Sequence, residues 1–409
     1  MSLVFVTGGT GYLGSYAVTR LVQQHDAKLA LLVRAKSRKD AIAKLWSGLQ
    51  MHVDAEGFER ILANVTFVSG DLTAPQLGMD ARVRAELAER TGSILHIAAS
   101  LNRRSEKACL NANLRGTLSV IGFAKEVLAR RGALGRFTDV STVAVCGRRF
   151  AEVVQEDTAI DWERSDYDPY ARTKKFAEHM VEELLPEVDR LVVRPSIVMG
   201  DSRFPQTTQF DMVRSFCALA DMPVLPMSGR ARLDIVNADF VGRAIADLHV
   251  KKDLAHRIYH LSSGRSSKCA EEIGVALLSK FPGRRPPRFV PRASGAFEAT
   301  VNRMADLPKG TLSLYGALLK VFWPYIVFDT VFDNSRVCAE LGETPVPFTP
   351  VPFTPVPFTP VPFTPVPFTE YCGELYRWSR EVKFTYPYQA LPERLAKLAS
   401  PSEEITTWA

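Results

Sequence analysis

Residues 7–14 read Thr-Gly-Gly-Thr-Gly-Tyr-Leu-Gly and follow an apolar run, Leu3-Val4-Phe5-Val6. Gly8, Gly11 and Gly14 thereby stand at a turn from a first strand into a first helix. At this spacing one glycine makes the tight turn, one lets a pyrophosphate approach the backbone, and one lets the helix pack on the strand. The helix N-terminus then offers free N–H groups and a favourable dipole to phosphate. The strand–turn–helix context gives the triplet this meaning; elsewhere it would be a glycine-rich turn without a ligand. Thr7, Tyr12 and Leu13 belong to the same turn and are candidate cofactor contacts.

Apolar runs recur at Leu29–Val33, Val65–Val68, Ile94–Ala98, Phe137–Val140 and Leu191–Val193. Between them lie segments of helical spacing, such as Ala41, Leu45 and Leu49, or Leu118, Ile121, Phe123 and Val127. This alternation implies βαβ units and an α/β fold, a doubly wound parallel Rossmann sheet with helices on both faces. From about Gly200 the pattern breaks into shorter elements rich in proline and arginine. The expected organisation is a dinucleotide-binding domain over 1–200, with some later segments returning to it, and a smaller substrate-binding lobe over 201–345. A repeat loop over 346–369 and a helical tail over 370–409 follow.

The repeat loop, Val346–Thr369, holds five copies of Val-Pro-Phe-Thr. Proline at this period excludes a helix or a central strand, so an extended, polyproline-like surface segment is expected. It reads as an in-frame expansion of one loop unit, or as a spacer or docking ribbon. Leu312–Phe332 is strongly apolar but is interrupted by Lys320, Pro324 and Asp329. It reads as a buried or substrate-covering helix pair, as an interfacial membrane patch, or as a span, which needs about 20 mostly apolar residues.

The net charge of +6 over 409 residues is too diffuse to argue for nucleic acid, though it suits an anionic cofactor or substrate. Six scattered cysteines form no CxxC pair, so no metal site is expected. A reduced, cytoplasmic protein is expected from that pattern, without a signal peptide before the first strand.

Tyr170 and Lys174 form a Tyr-x-x-x-Lys pair at the start of a helical stretch, and i, i+4 spacing puts both on one side of it. A phenol alone is a poor acid or base near neutrality, and a nearby ammonium favours its ionised form. The phenol can then give a proton to a carbonyl oxygen as hydride arrives. Ser141-Thr142 ends the strand Phe137–Val140, where a hydroxyl can hold the substrate oxygen. Spacing alone does not choose between the two, and either could simply cap a turn. Asn113 lies on the helix after Ile94–Ala98, where a buried amide can tie that strand to the active-site helix. Asp71, before Leu72 at the third strand's end, is placed to accept from an adenine amino group. Ala98, Ala99 and Ser100 let the cofactor lie close to the backbone. The second strand runs into Arg34 where an acid would hold a ribose 2′-hydroxyl, so NADPH is expected over NADH.

Together these motifs resemble the extended short-chain dehydrogenase/reductase superfamily over roughly the first 200 residues. In that superfamily the Ser/Thr, Tyr and Lys are the catalytic set. The resemblance implies Thr142 as the principal hydroxyl, and contact of the loop at Pro195 and Ser196 with the nicotinamide. A narrower resemblance is to the fatty acyl-CoA reductase and thioester reductase branch. It rests on Leu31–Ala35, Ile94–Ser100, Leu233–Val236, Asp239–Val241, Phe332–Ser335 and Pro-Phe-Thr-Glu-Tyr. It implies an NADPH-dependent reductase of a long-chain acyl thioester or fatty aldehyde, the thioester arriving as coenzyme A ester or on an acyl carrier protein. A reductase of a hydrophobic ketone, β-keto acid or sterol would use the same residues. A non-catalytic nucleotide sensor would not need Tyr170 and Lys174.

Overall fold

The computed structural model describes residues 3–281, 283, 285–327, 329–342 and 363–397. Its centre is a seven-stranded sheet, all parallel: β1 (Leu3–Thr7), β2 (Leu29–Val33), β3 (Val65–Ser69), β4 (Thr91–His96), β5 (Arg136–Val140), β6 (Arg190–Pro195) and β7 (Ile258–Leu261). Their spatial order is 7-6-5-4-1-2-3. Phe5 pairs with Ala30 on one side and with Ile94 on the other. The order therefore reverses between β1 and β4, and a ligand crevice is expected beyond their carboxyl ends. β1 and β2 are buried along their whole length, as strands covered on both faces must be. β4 stops at His96, two residues before the apolar run ends. Ile97 still donates to the Thr7 carbonyl (3.1 Å), and the chain then leaves the sheet to pass over Gly8.

Helix α1 (Tyr12–His25) follows the glycine turn. The helices that flank the site further along are α2 (Gly116–Arg131), preceded by a π-helical stretch over Leu110–Arg115, and α3 (Pro169–Leu184). The first turn of α3 is set locally. Asp168 caps it by accepting from the Ala171 N–H at 2.8 Å, and Pro169 fits the first helical position. Helix α4 (Asp211–Ala220) begins the lobe. The chain then returns to the sheet through α5 (Ala238–Val250) and β7, so the sheet domain extends well beyond residue 200. The lobe resumes with α6 (Ala270–Lys280), the paired helices α7 (Ser294–Ala305) and α8 (Thr311–Val327), and α9 (Phe368–Glu381).

Val18 and Leu21 of α1 share one core with Leu31, Ile245 and Tyr259, while Phe5, Phe123 and Phe137 fill a second. A third core, around Cys217, Leu233, Trp323 and Leu375, belongs to the lobe. Most of the apolar segment 312–332 is the single helix α8, packed on α7 by one face. Among the described residues no helix is long and apolar enough to cross a membrane.

Residues 363–367 of the repeat form neither helix nor strand, as expected, but Phe368 and Thr369 begin α9 and the segment is largely buried. The repeat's units up to Pro362 lie outside the described residues. Phe363 is only 3% exposed, stacks on Phe240 (4.7 Å) and lies beneath the Arg243 guanidinium (4.5 Å). Val366 donates its N–H to Asn237 Oδ1 at 3.1 Å, and Phe368 is buried in the lobe core. The last units therefore do not run over the surface. Proline bars them from a ladder, but their phenylalanines have apolar area to bury.

Candidate active site

A cleft of about 800 Å³ lies beyond the carboxyl ends of β1, β4, β5 and β6. The glycine turn forms one wall. Gly8 has φ +77°, and a Cβ there would lie 2.6 Å from the Ala98 nitrogen. A Cβ on Gly14 would lie 2.0 Å from the Gly8 carbonyl oxygen, so only glycine permits this packing. Gly11 caps α1 without a side-chain partner, which leaves the first-turn N–H groups for a ligand. Thr7, Tyr12 and Leu13 line the same wall. Such a cradle, with a long cleft beside it, fits a dinucleotide.

Arg34, Asp71 and Leu72 line the β2–β3 end of the cleft. Burial opposes ionisation of Asp71, but the Thr73 N–H and hydroxyl (both 2.8 Å) and the nearby Arg34 outweigh it and hold the carboxyl below its ordinary value. Ala98, Ala99 and Ser100 form the floor, and Pro195 and Ser196 the opposite rim.

Tyr170, Ser141 and Thr142 all reach the cleft, but the two hydroxyls differ. Ser141 Oγ donates to Glu178 Oε2 at 2.7 Å, and Glu178 also pairs with the buried Arg194. Among the described residues Thr142 Oγ1 makes only long contacts, to the Pro195 carbonyl (3.4 Å) and from the Ala144 N–H (3.3 Å). Thr142 therefore has the hydroxyl freer to turn toward a substrate oxygen.

Lys174 and Asn113 sit behind the cleft wall. Lys174 is 1% exposed, and its Nζ donates to the fully buried Asp139 Oδ1 at 3.1 Å. Asn113 Oδ1 accepts from the Ser100 N–H (2.7 Å), while its Nδ2 donates to the Ser100 carbonyl (3.2 Å) and to Thr173 Oγ1 on α3 (3.1 Å). One amide thus joins the cleft floor to the helix that carries Tyr170.

Several groups in or beside the cleft escaped the sequence reading. Arg103 lies over the Tyr170 ring at 4.3 Å and donates to Asp168 Oδ2 (3.0 Å) and Tyr325 Oη (2.6 Å). Tyr325 donates to Asp168 Oδ2 at 2.8 Å and stacks on Tyr167 at 4.4 Å. This cluster fastens α8 to the start of α3. Asp234 is fully buried, and burial pushes its carboxyl up to about 6. It accepts from Ser196 Oγ, the Ser263 N–H and the Phe332 N–H. His96 is buried and held neutral, pushed down to about 3 by burial and by Lys174, with Nδ1 2.6 Å from Thr7 Oγ1. Asp234 and His96 lie within the quoted segments Leu233–Val236 and Ile94–Ser100 without having been singled out; the others depend on contacts between distant segments. Among the described residues, no group of three or more His, Cys, Asp or Glu is placed to hold a metal ion.

A reversing parallel sheet, a glycine cradle at its switch point and a Tyr-x-x-x-Lys helix on the same cleft define an extended short-chain dehydrogenase/reductase. Residues 6–245, more than half of the chain, match the family model described as male sterility protein, an NAD-binding family. The chain belongs to that family.

Its relatives include a fatty acyl-CoA reductase (wat) of Drosophila melanogaster, 27% identical over 244 residues, which are 53% of this chain and 46% of that protein. Another is the nonribosomal peptide synthetase asaC of Aspergillus flavus, 29% identical over 275 residues, 63% of this chain and 26% of that protein. The chain thus spans less than half the length of these relatives. Among solved structures, the terminal R domain of the myxalamid PKS-NRPS pathway superposes with a TM-score of 0.75 at 22% identity, covering 95% of this chain and 93% of that one. The Bordetella bronchiseptica enzyme WbmH, solved in complex with NAD+, superposes with a TM-score of 0.56 at 18% identity, covering 93% and 99%. These likenesses are of fold.

Proposed function

We propose that this chain reduces the carbonyl of a long-chain acyl thioester, presented as a coenzyme A ester or on a carrier protein, or of a fatty aldehyde, using NADPH. The observation that carries the reading is that Thr142 and Tyr170 line the same cleft as the glycine cradle and Arg34. A nicotinamide bound there would supply hydride.

Thr142 Oγ1 donates a hydrogen bond to the carbonyl oxygen as negative charge builds on it, and Tyr170 gives that oxygen its phenolic proton. Lys174, one helical turn further along α3 and held by Asp139, favours the phenolate left behind. Asn113 keeps α3 in register with the floor at Ser100. With a thioester, the carbon–sulfur bond of the reduced adduct then breaks, the thiol leaves and an aldehyde forms. Arg34, in place of an acid after β2, supports the choice of a 2′-phosphorylated cofactor. The names of the fatty acyl-CoA reductase and R-domain relatives support an acyl thioester as substrate.

The test is incubation with acyl-CoA and NADPH while following both cofactor oxidation and free thiol. Release of thiol in step with NADPH consumption is expected. Consumption of NADPH only with hydrophobic ketones would favour the ketone reading. No consumption with any thioester or aldehyde would overturn the proposal.

A further inference from the structure

Of the described residues that line the cleft, only Arg34 and Arg103 are cations. Arg34 stands at the β2–β3 end, while the Arg103 guanidinium lies over the Tyr170 ring, 4.3 Å from its centroid. Arg103 is held from one side. Its Nη1 donates to Asp168 Oδ2 (3.0 Å) and to Tyr325 Oη (2.6 Å), which is all that a strut between α8 and α3 requires. Its Nε and Nη2 have no hydrogen-bond partner among the described residues, and the side chain is 18% exposed. The N–H groups on these two nitrogens are left for a ligand in the cleft.

Reduction of a thioester to an aldehyde includes a step that reduction of a ketone or an aldehyde lacks. Once hydride and the Tyr170 proton have been added, the thioester is a hemithioacetal. Its hydroxyl then returns the proton to the Tyr170 phenolate, the carbonyl re-forms, and the carbon–sulfur bond breaks with its electron pair going to sulfur. A simple thiol has a pKa of about 8.5, so the sulfur departs as a basic anion that is costly to leave unpaired away from water. Tyr170 and Thr142 are both engaged at oxygen. Lys174 lies behind the cleft wall and is paired with Asp139. The sulfur is bonded to the carbon whose oxygen Tyr170 protonates, which places it beside the Tyr170 ring that Arg103 covers.

We propose that Arg103 is a catalytic residue that takes up the negative charge of the departing thiolate, through the N–H groups that Asp168 and Tyr325 leave free. The thiolate afterwards takes a proton from water. The inference rests on the thioester reading of the cleft and adds to it a residue that aldehyde reduction does not need.

Reduction of an acyl-CoA, of the thiophenyl ester of the same acid and of the corresponding aldehyde is compared as kcat/KM in the full chain and in Arg103→Gln. Any disturbance of Tyr170 lowers all three alike, so the ratios are the readout. Hydrogen bonds to a charged group are strong enough that the acyl-CoA rate should fall about 10–100-fold relative to the aldehyde rate. The thiophenyl ester, whose more acidic thiol leaves with less help, should lose much less. Arg103→Lys keeps a charge without the planar fork and should fall between; it carries the comparison alone if Arg103→Gln does not fold. Tyr325→Phe removes one leg of the strut, keeps the guanidinium and should hold the wild-type ratios. Equal losses on all three substrates, a loss indifferent to thiol acidity, or the same change of ratio in Tyr325→Phe would overturn the inference. A wild type that reduces the aldehyde but neither thioester overturns it as well and leaves aldehyde reduction standing. Thioester reduction with ratios unchanged in Arg103→Gln removes only the role of Arg103.

Discussion

Phe363 gives the sharpest test of how the repeat joins the fold. Its side chain is buried against Phe240 and beneath Arg243, at the junction of the repeat with α5. Replacement by alanine removes a ring that the surrounding helix cannot follow inward, and buried Phe→Ala changes cost about 3–5 kcal/mol. The stacked pair and the cation over the ring each contribute about 1 kcal/mol of such a total. Thr364, the next residue, is exposed, so Thr364→Ala should stay within about 0.5 kcal/mol of the parent. The assay is urea unfolding of the three proteins, compared by midpoint at unchanged slope. Deleting Val346–Pro365 removes Phe363 and should cost at least as much. A Phe363→Ala protein within about 0.5 kcal/mol of the parent would refute the argument.

Tyr170→Phe should lower turnover by about 10²–10⁴-fold, the usual worth of a general acid. Cofactor binding, measured by fluorescence titration, should stay close to normal, and a near-normal rate would remove the proposed proton donor. Arg34→Asp should move preference from NADPH toward NADH, read from titrations with both cofactors; an unchanged ratio would place the discrimination on Lys36 or Arg38. Asp234 titrates near 6 when folded and near 3.9 when unfolded, so its contribution is fully present below about pH 4 and is lost as pH rises through 6. Against Asp234→Asn, the parent should therefore lose up to about 3 kcal/mol of relative stability between those pH values, and a pH-independent difference in unfolding free energy would contradict this.

Six of the seven sheet strands were legible as apolar runs, because strands covered on both faces are mostly apolar and the buried polar residues they carry, such as Asp139 and Arg194, are few enough to leave the run visible. The seventh, Ile258–Leu261, was not, since it lies downstream of the alternating half, among the short elements read as the lobe. The glycine turn was legible because its constraint is local. The pairings of Lys174 with Asp139 and of Ser141 with Glu178 span 35 and 37 residues, and no spacing rule announces them. The Arg103–Asp168–Tyr325 cluster is harder still, since it joins a loop, a helix cap and a lobe helix up to 222 residues apart. Burial of the last repeat units was misjudged because proline predicts what a backbone cannot do and says nothing of where a neighbouring phenylalanine goes.

Phe363 and Phe368 stand one period apart, and each enters a different core. Their anchoring fixes the downstream end of the repeat whatever its copy number. Twenty residues separate Gly342 from Phe363. Both anchors lie downstream of that stretch, so a change in copy number within it removes neither Phe363 nor Phe368 from its core. Copy number upstream of the anchors is then almost invisible to selection for folding. Replication slippage could lengthen or shorten the tract in steps of five codons, and populations carrying this gene should hold alleles of several lengths with indistinguishable stability.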